Sequence, residues 1–92
     1  MTNRAYKVHI TGRVQGVSFR FWTREEAERL GLHGWVHNEP DGSVMALIAG
    51  PDGAVTIMLE RFWQGPAGAV VADVRAEAAD STVAPVGFSI TG

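Results

Sequence analysis

One arginine of this chain stands where its charge is costly unless an anion is bound. Arg20 closes a glycine-rich segment, Gly12 to Arg20, which links an alternating strand pattern to a helical pattern. A cation in the first turn of a helix opposes the helix dipole, at a cost of roughly 0.3–1 kcal/mol, and a bound anion reverses that sign. Because the free N–H groups of a helix N-terminus also attract anions, the segment is a candidate anion site.

The same spacing fits a simpler interpretation. A surface turn followed by an exposed arginine explains the residues equally well, because the segment matches neither the Walker pattern nor G-x-G-x-x-G. Gly12 and Gly16 would let the backbone curl and approach a ligand closely. From spacing alone, both interpretations stay open.

Length and composition narrow the class of protein. Ninety-two residues with 46% hydrophobic residues predict one domain spanning 1–92, with residues 1–4 frayed. A net charge of −2 disfavours a nucleic-acid or anionic-membrane binder. There is no cysteine, no apolar N-terminal signal and no apolar run long enough to cross a bilayer. We therefore expect a cytoplasmic monomer.

The elements that position the segment follow from periodicity. Helical spacing predicts a first helix from Phe19 to Leu30, ended by Gly31, and a second helix with Pro51 at its first position. Alternation and apolar runs predict strands at 5–11, 33–38, 43–49 and 70–78, and a short edge strand around Phe88. The order βαββαβ plus a terminal strand predicts an α+β, ferredoxin-like fold. Two helices lie on one face of a four- to five-stranded, mostly antiparallel sheet.

The start of the first helix has two candidates. Thr23 begins a capping box with Glu26, whereas Ser18 is a fair N-cap for a helix that begins at Phe19. We prefer the second, because the apolar stripe of the helix needs Phe19. We also expect the third strand to be central and buried on both faces.

Other chemistry finds little support in the sequence. The three histidines His9, His33 and His37 lack metal-ligand spacing, and no histidine lies near Ser18. The acidic residues of the first helix read as a solvated face paired with Arg24 and Arg29: Glu25, Glu26 and Glu28. An RNA-recognition module needs aromatic residues on its central strands, and the third strand has none.

Asn38 ends the second predicted strand and is a second candidate for the anion site. Its amide offers a donor and an acceptor and does not titrate, so it could orient a water against a bound phosphoryl group. A turn-initiating asparagine before Glu39-Pro40 is the alternative, and spacing alone favours it.

Taken together, the residues of this chain resemble the acylphosphatase family. The match is densest from Gly12 to Val44 and continues through the helix-ending Gly65-Pro66 to the terminal Phe88-Ser89-Ile90. Its densest part comprises Gly12-Arg13-Val14-Gln15-Gly16-Val17-Ser18-Phe19-Arg20, Ala27, Leu30-Gly31-Leu32, Gly34-Trp35-Val36, Asn38 and Asp41-Gly42-Ser43-Val44.

The resemblance implies a small ferredoxin-like enzyme that hydrolyses the carboxyl–phosphate bond of acyl phosphates, without metal or cofactor. It implies that Arg20 binds phosphate and that Asn38 orients the attacking water. The phosphate cradle would be formed by the backbone amides of Gln15, Gly16, Val17, Ser18 and Phe19, and inorganic phosphate would bind as product. A non-catalytic anion-binding module on the same fold is the competing class.

Three residues depart from the pattern of the family. His37 stands where relatives often carry a stronger base, and Glu39 where a neutral or basic residue is common. Strand alternation predicts that Glu39 points away from Asn38, which would keep its charge from weakening phosphate binding. Ser18 replaces residues that are often bulkier, and we expect little effect because the loop would act through its backbone.

Overall fold

The computed structural model describes residues 3–92, and its elements follow the predicted order. Four strands and two helices precede a short last strand. They are β1 (Asn3–Arg13), α1 (Phe19–Arg29), β2 (His33–Asn38), β3 (Val44–Pro51), α2 (Asp52–Gln64), β4 (Val70–Ala78) and β5 (Phe88–Ile90). A single 3-10 turn, Ser81–Val83, lies between β4 and β5.

The five strands form one mixed sheet in the order β4-β1-β3-β2-β5. Every neighbouring pair is antiparallel except β2 and β5, which run parallel. This confirms the ferredoxin-like arrangement, the central position of β3 and the edge position of the last strand. Six of the eight residues of β3 are buried, as its apolar sequence predicts for a strand covered on both faces.

Both helices pack on one face of the sheet. The helix α1 lies against β2 and β5, and α2 lies against β4, β3 and β1. Their inward residues join the sheet in one core that contains Val8, Ile10, Val14, Phe19, Ala27, Val36, Val44, Ile48, Val55, Met58, Phe62 and Phe88. The site described below therefore rests on a packed layer.

Three aromatic rings join the two helices above the sheet. The Phe19 ring lies 5.3 Å from Trp22 and 6.3 Å from Phe62, measured between ring centroids. Such pairs contribute about 0.5–1.5 kcal/mol each beyond area burial. Because Phe19 is the first residue of α1, this packing fixes the helix start.

An acidic residue of α1 departs from the predicted solvated face. Glu26 accepts from Arg29 at 2.8 Å, but its other oxygen accepts from Arg61 of α2 at 2.9 Å. The Glu26 side chain is 13% exposed, so it belongs to the contact between the helices. The prediction missed this because helical spacing describes one element at a time.

The first strand is longer than predicted at both ends. Asn3 and Arg4 pair with Pro51 and Gly50, so the prediction that they are frayed was wrong. Residues 1 and 2, also predicted to be frayed, lie outside the described residues. At its far end, β1 continues through Gly12 and Arg13, which pair with β4 after a bulge. Gly12 therefore belongs to the sheet, and the loop toward α1 begins after Arg13.

The helix starts also differ in detail from the predictions. The first helix begins at Phe19 as predicted, but the Ser18 side chain makes no capping hydrogen bond. Pro51 is the cap residue of α2, and the helix itself begins at Asp52. Gly31 takes a positive φ of 71° just past α1, which confirms it as the stop.

Candidate functional site

The loop between β1 and α1 carries free backbone donors. Gly16 has φ 75° and Ser18 has φ 62°, so two residues of the loop lie in the left-handed region. Ser18 is the one non-glycine residue with positive φ among residues 3–92, and such positions often accompany function. Within the described chain, the N–H groups of residues 15–19 donate to no other backbone group. Alternating left-handed residues turn such groups toward a common point, which favours an anion.

A depression of about 210 Å³ opens beside this loop. It is lined by Val14, Gln15, Gly16, Ser18, Phe19, Arg20, Phe21 and Asn38. Arg20, Asn38 and four of the five predicted loop residues therefore lie around one space, although Asn38 is distant from them in sequence. Val17 does not line the depression, and its side chain packs against the core.

Arg20 is positioned by its neighbour and by the last residue of the chain. Phe19 is 2% exposed and is anchored in the core, which places Arg20 at the rim of the depression. Its Nη1 donates to the backbone oxygen of Gly92 at 2.9 Å. One edge of the planar guanidinium is held in this way, and Arg has five N–H donors to share between partners.

Asn38 is the last residue of β2, where it pairs with Val44 of β3. Its Oδ1 is buried and has no hydrogen-bond partner within the described residues. A buried carbonyl oxygen without a partner costs roughly 1–3 kcal/mol, so this atom calls for a donor.

The Gln15 side chain ties the loop to the turn between β2 and β3. Its Nε2 donates to the backbone oxygens of Glu39 and Ser43, at 2.8 and 2.9 Å. The two bonds fix the loop beside Asn38. Sequence reasoning gave Gln15 a backbone role alone, because no local pattern reveals a side chain that bonds to a turn 24 residues away.

The side chains of His37 and Glu39, on either side of Asn38, face another direction. The Glu39 carboxylate lies 2.6 Å from His37 Nε2, and the His37 ring is stacked on Trp35 at 4.8 Å. This confirms that Glu39 points away from Asn38, as strand alternation predicts. Its charge is directed at His37 and away from the depression.

A second polar cluster lies in the turn between β2 and β3. Ser43 Oγ donates to Asp41 Oδ1 at 2.6 Å, and His9 Nε2 lies 2.7 Å from the same hydroxyl. Since the single proton of Ser43 goes to Asp41, His9 is the donor to Ser43 and cannot act as its base. The cluster is therefore a hydrogen-bonded brace for the turn, and no nucleophile is activated there.

The Ser43 hydroxyl lowers the pKa of the Asp41 carboxyl, with help from the Ser43 backbone N–H. Hydrogen bonds to the charged form of a carboxyl have this effect.

Across residues 3–92, no group of three or more acidic or histidine side chains is arranged to hold a metal ion. No helix in the same range is long and apolar enough to span a membrane.

Phe21 is a lining residue that sequence reasoning missed. Its side chain is 53% exposed, and the Arg24 guanidinium lies 5.6 Å from its ring centroid. Helical spacing places Phe21 on the side of the helix opposite Phe19, so its exposure follows from the sequence, but no local pattern shows that the depression opens beside it.

Comparisons with known proteins found a matching family model and relatives of high sequence identity. The family model described as acylphosphatase matches residues 6–90. Acylphosphatases of Sinorhizobium medicae and Rhizobium meliloti are 72% and 73% identical over 88 residues, which cover 96% of this chain and 94% and 93% of theirs. The crystal structure of acylphosphatase from Bacillus subtilis superposes with a TM-score of 0.93 at 35% identity, covering 97% of this chain and 99% of that one.

Proposed function

Because this chain belongs to the acylphosphatase family and hydrolyses acyl phosphates, we propose how its own residues carry out the reaction. The phosphoryl group occupies the depression between the loop, Arg20 and Asn38. The single observation that carries this proposal is that Asn38, whose buried Oδ1 has no hydrogen-bond partner among residues 3–92, lines the same depression as Arg20. An acceptor beside a cation is what a phosphoryl group and its attacking water require.

The backbone N–H groups of Gln15, Gly16, Val17, Ser18 and Phe19 bind the phosphoryl oxygens. Two observations support this role. Among the described residues these N–H groups donate to no other backbone group, and Gly16 and Ser18 have left-handed backbone conformations. A Cβ at Gly16 would meet no atom within 4 Å, so the backbone there is open to a ligand. The start of α1 adds its positive dipole end, with no acidic residue in the first turn to oppose an anion.

Arg20 clamps the same group through its guanidinium. Arginine stays charged at every working pH and offers parallel donors that match two phosphoryl oxygens. The bond to Gly92 holds the side chain in place before the substrate arrives, which reduces the ordering needed on binding.

Asn38 orients the water. Its Oδ1 accepts a hydrogen bond from a water molecule, which satisfies the buried oxygen and directs a lone pair of the water toward phosphorus. An amide does this without titrating, so no ionised base is required.

The reaction is balanced without an acid–base pair. Water oxygen forms a bond to phosphorus while the bond between phosphorus and the acyl oxygen breaks, and its electron pair leaves with the carboxylate. The proton of the water passes to a phosphoryl oxygen, so carboxylate and dihydrogen phosphate are the products. Because a carboxylate is a good leaving group, positioning and charge stabilisation suffice.

One chain supplies every residue of the proposed site, which supports action as a monomer. Inorganic phosphate, as product, binds the same cradle and competes with substrate. The cytoplasmic location expected from the sequence stays a prediction, which fractionation of the cells that make the protein would test.

Hydrolysis of acetyl phosphate in the presence of a metal chelator tests these roles. We expect Arg20→Ala to lose both turnover and inhibition by inorganic phosphate, with kcat/KM lowered about 10²-fold or more. Asn38→Ala should lose turnover by a similar factor and keep phosphate inhibition.

Arg29→Ala, which removes another arginine of α1, is the matched control and should behave as wild type. If Asn38→Ala retains near-normal turnover, the water-orienting role is wrong. Phosphate binding by a wild type that does not hydrolyse the substrate would instead indicate a non-catalytic anion-binding module.

A further inference from the structure

The depression has an apolar wall that the contacts to phosphate leave unused. Phe21 follows Arg20 in the first turn of α1 and lines the same space. The other apolar side chains of the lining, Val14 and Phe19, are 1% and 2% exposed and belong to the core. Phe21, at 53% exposed, is therefore the apolar surface that a ligand in this depression can cover.

The substrate also has a part that the proposed roles leave without a partner. Arg20, Asn38 and the loop amides all contact the phosphoryl group or its water. The acyl group begins one bond away from the phosphoryl group, so in a depression of this size it reaches lining residues that have no proposed contact with phosphate, of which Phe21 is one.

We propose that Phe21 is a specificity-determining residue that packs against the acyl group and favours acyl phosphates with an aromatic or bulky apolar acyl group. This inference rests on the proposed function of the same site. Covering a half-exposed ring removes apolar surface from water, and offset or edge contacts between aromatic rings add to this.

Arg24 restrains the ring that receives the acyl group. Its guanidinium lies 5.6 Å from the ring centroid, within the range of a cation–π contact. A ring already held in place loses less freedom when the acyl group packs on it, so the surface is partly pre-organised.

The ratio of kcat/KM for benzoyl phosphate to that for acetyl phosphate tests the proposal. Both probes present the same phosphoryl group, so the ratio cancels the contributions of Arg20, Asn38 and the loop. We expect Phe21→Ala to lower the ratio by roughly threefold to tenfold. Phe21→Leu keeps an apolar surface without the ring and should give an intermediate ratio.

Trp63→Ala is the matched control, because Trp63 is an exposed aromatic residue of α2, 52% exposed, that does not line the depression. Its ratio should equal that of wild type. An unchanged ratio in folded Phe21→Ala and Phe21→Leu would overturn the inference and leave the roles of Arg20 and Asn38 intact. A wild type that hydrolyses neither probe would overturn the proposed function itself, and the inference with it.

Discussion

At the residue scale, Asp41 makes the pH dependence of stability predictable in sign. The Ser43 hydroxyl is the main cause that lowers the pKa of Asp41, and the Ser43 N–H and His9 add to it. A carboxyl whose pKa is lower in the folded state stabilises that state above its unfolded pKa of about 3.9. The contribution is lost as the pH falls through the folded pKa.

We expect Asp41→Asn to be less stable than wild type at pH 7, with a gap that shrinks toward pH 3. Asparagine keeps the shape and one acceptor oxygen but removes the charge that the Ser43 hydrogen bonds favour. Urea unfolding at both pH values measures the gap. Glu60→Gln, an exposed carboxyl of α2, is the control, and a gap for Asp41→Asn that is equal at both pH values would contradict the prediction.

Single residues of the site were predictable only where their type signals a role. Arg20 against the helix dipole and the glycines of the loop indicated a candidate anion site, with a surface turn and an exposed arginine as the alternative. The role of the Gln15 side chain was not predictable, because its partners belong to a distant turn. The prediction that Ser18 caps α1 was wrong. Serine favours capping, but Ser18 has a left-handed φ of 62° and its side chain makes no capping hydrogen bond.

At the element scale, β2 depends on Gly34, a position where no residue with a side chain fits. Gly34 has φ 141°, and a Cβ there would lie 1.7 Å from the backbone oxygen of Leu47 on β3. Its N–H donates to Gly87 at 2.9 Å, just before β5. The close approach of β3 and β5 to β2 therefore requires a residue without a side chain.

We expect Gly34→Ala to lower the free energy of unfolding by several kcal/mol, since the clash is with backbone and cannot be relieved by a rotamer. Gly53→Ala is the control, because Gly53 lies in α2 with open space around it, and it should gain about 0.5–1 kcal/mol. Denaturant unfolding followed by circular dichroism compares them. A Gly34→Ala protein as stable as wild type would show that the strands can separate at no cost.

The elements themselves were largely predictable, because local periodicity carries them. The bounds of β2 and β4 and the start of α1 agree with the sequence patterns. The ends of β1 did not, since Asn3 and Gly12 are strand residues only through their partners β3 and β4. The link from Glu26 to Arg61 was hidden for the same reason: pairing across elements has no local pattern.

At the scale of the whole molecule, the proposed site exists only in the folded chain. Its loop follows β1, Asn38 ends β2, and Arg20 bonds to Gly92 at the opposite end of the sequence. An unfolded chain does not bring these residues together. A ligand of this site therefore binds the folded state alone and stabilises it by mass action.

We expect inorganic phosphate to raise the thermal midpoint of wild type. At a concentration about 100 times its Kd, phosphate adds about 2.7 kcal/mol. For a domain of this size each kcal/mol raises Tm by about 4–8 °C, so the rise should be roughly 10–20 °C. Asn38→Ala should keep this rise, because its amide acts on water, while Arg20→Ala should lose it. Differential scanning calorimetry in matched sulfate-free buffers of equal ionic strength gives the measurement. An equal rise in Arg20→Ala would indicate a general salt effect and would contradict a phosphate site at Arg20.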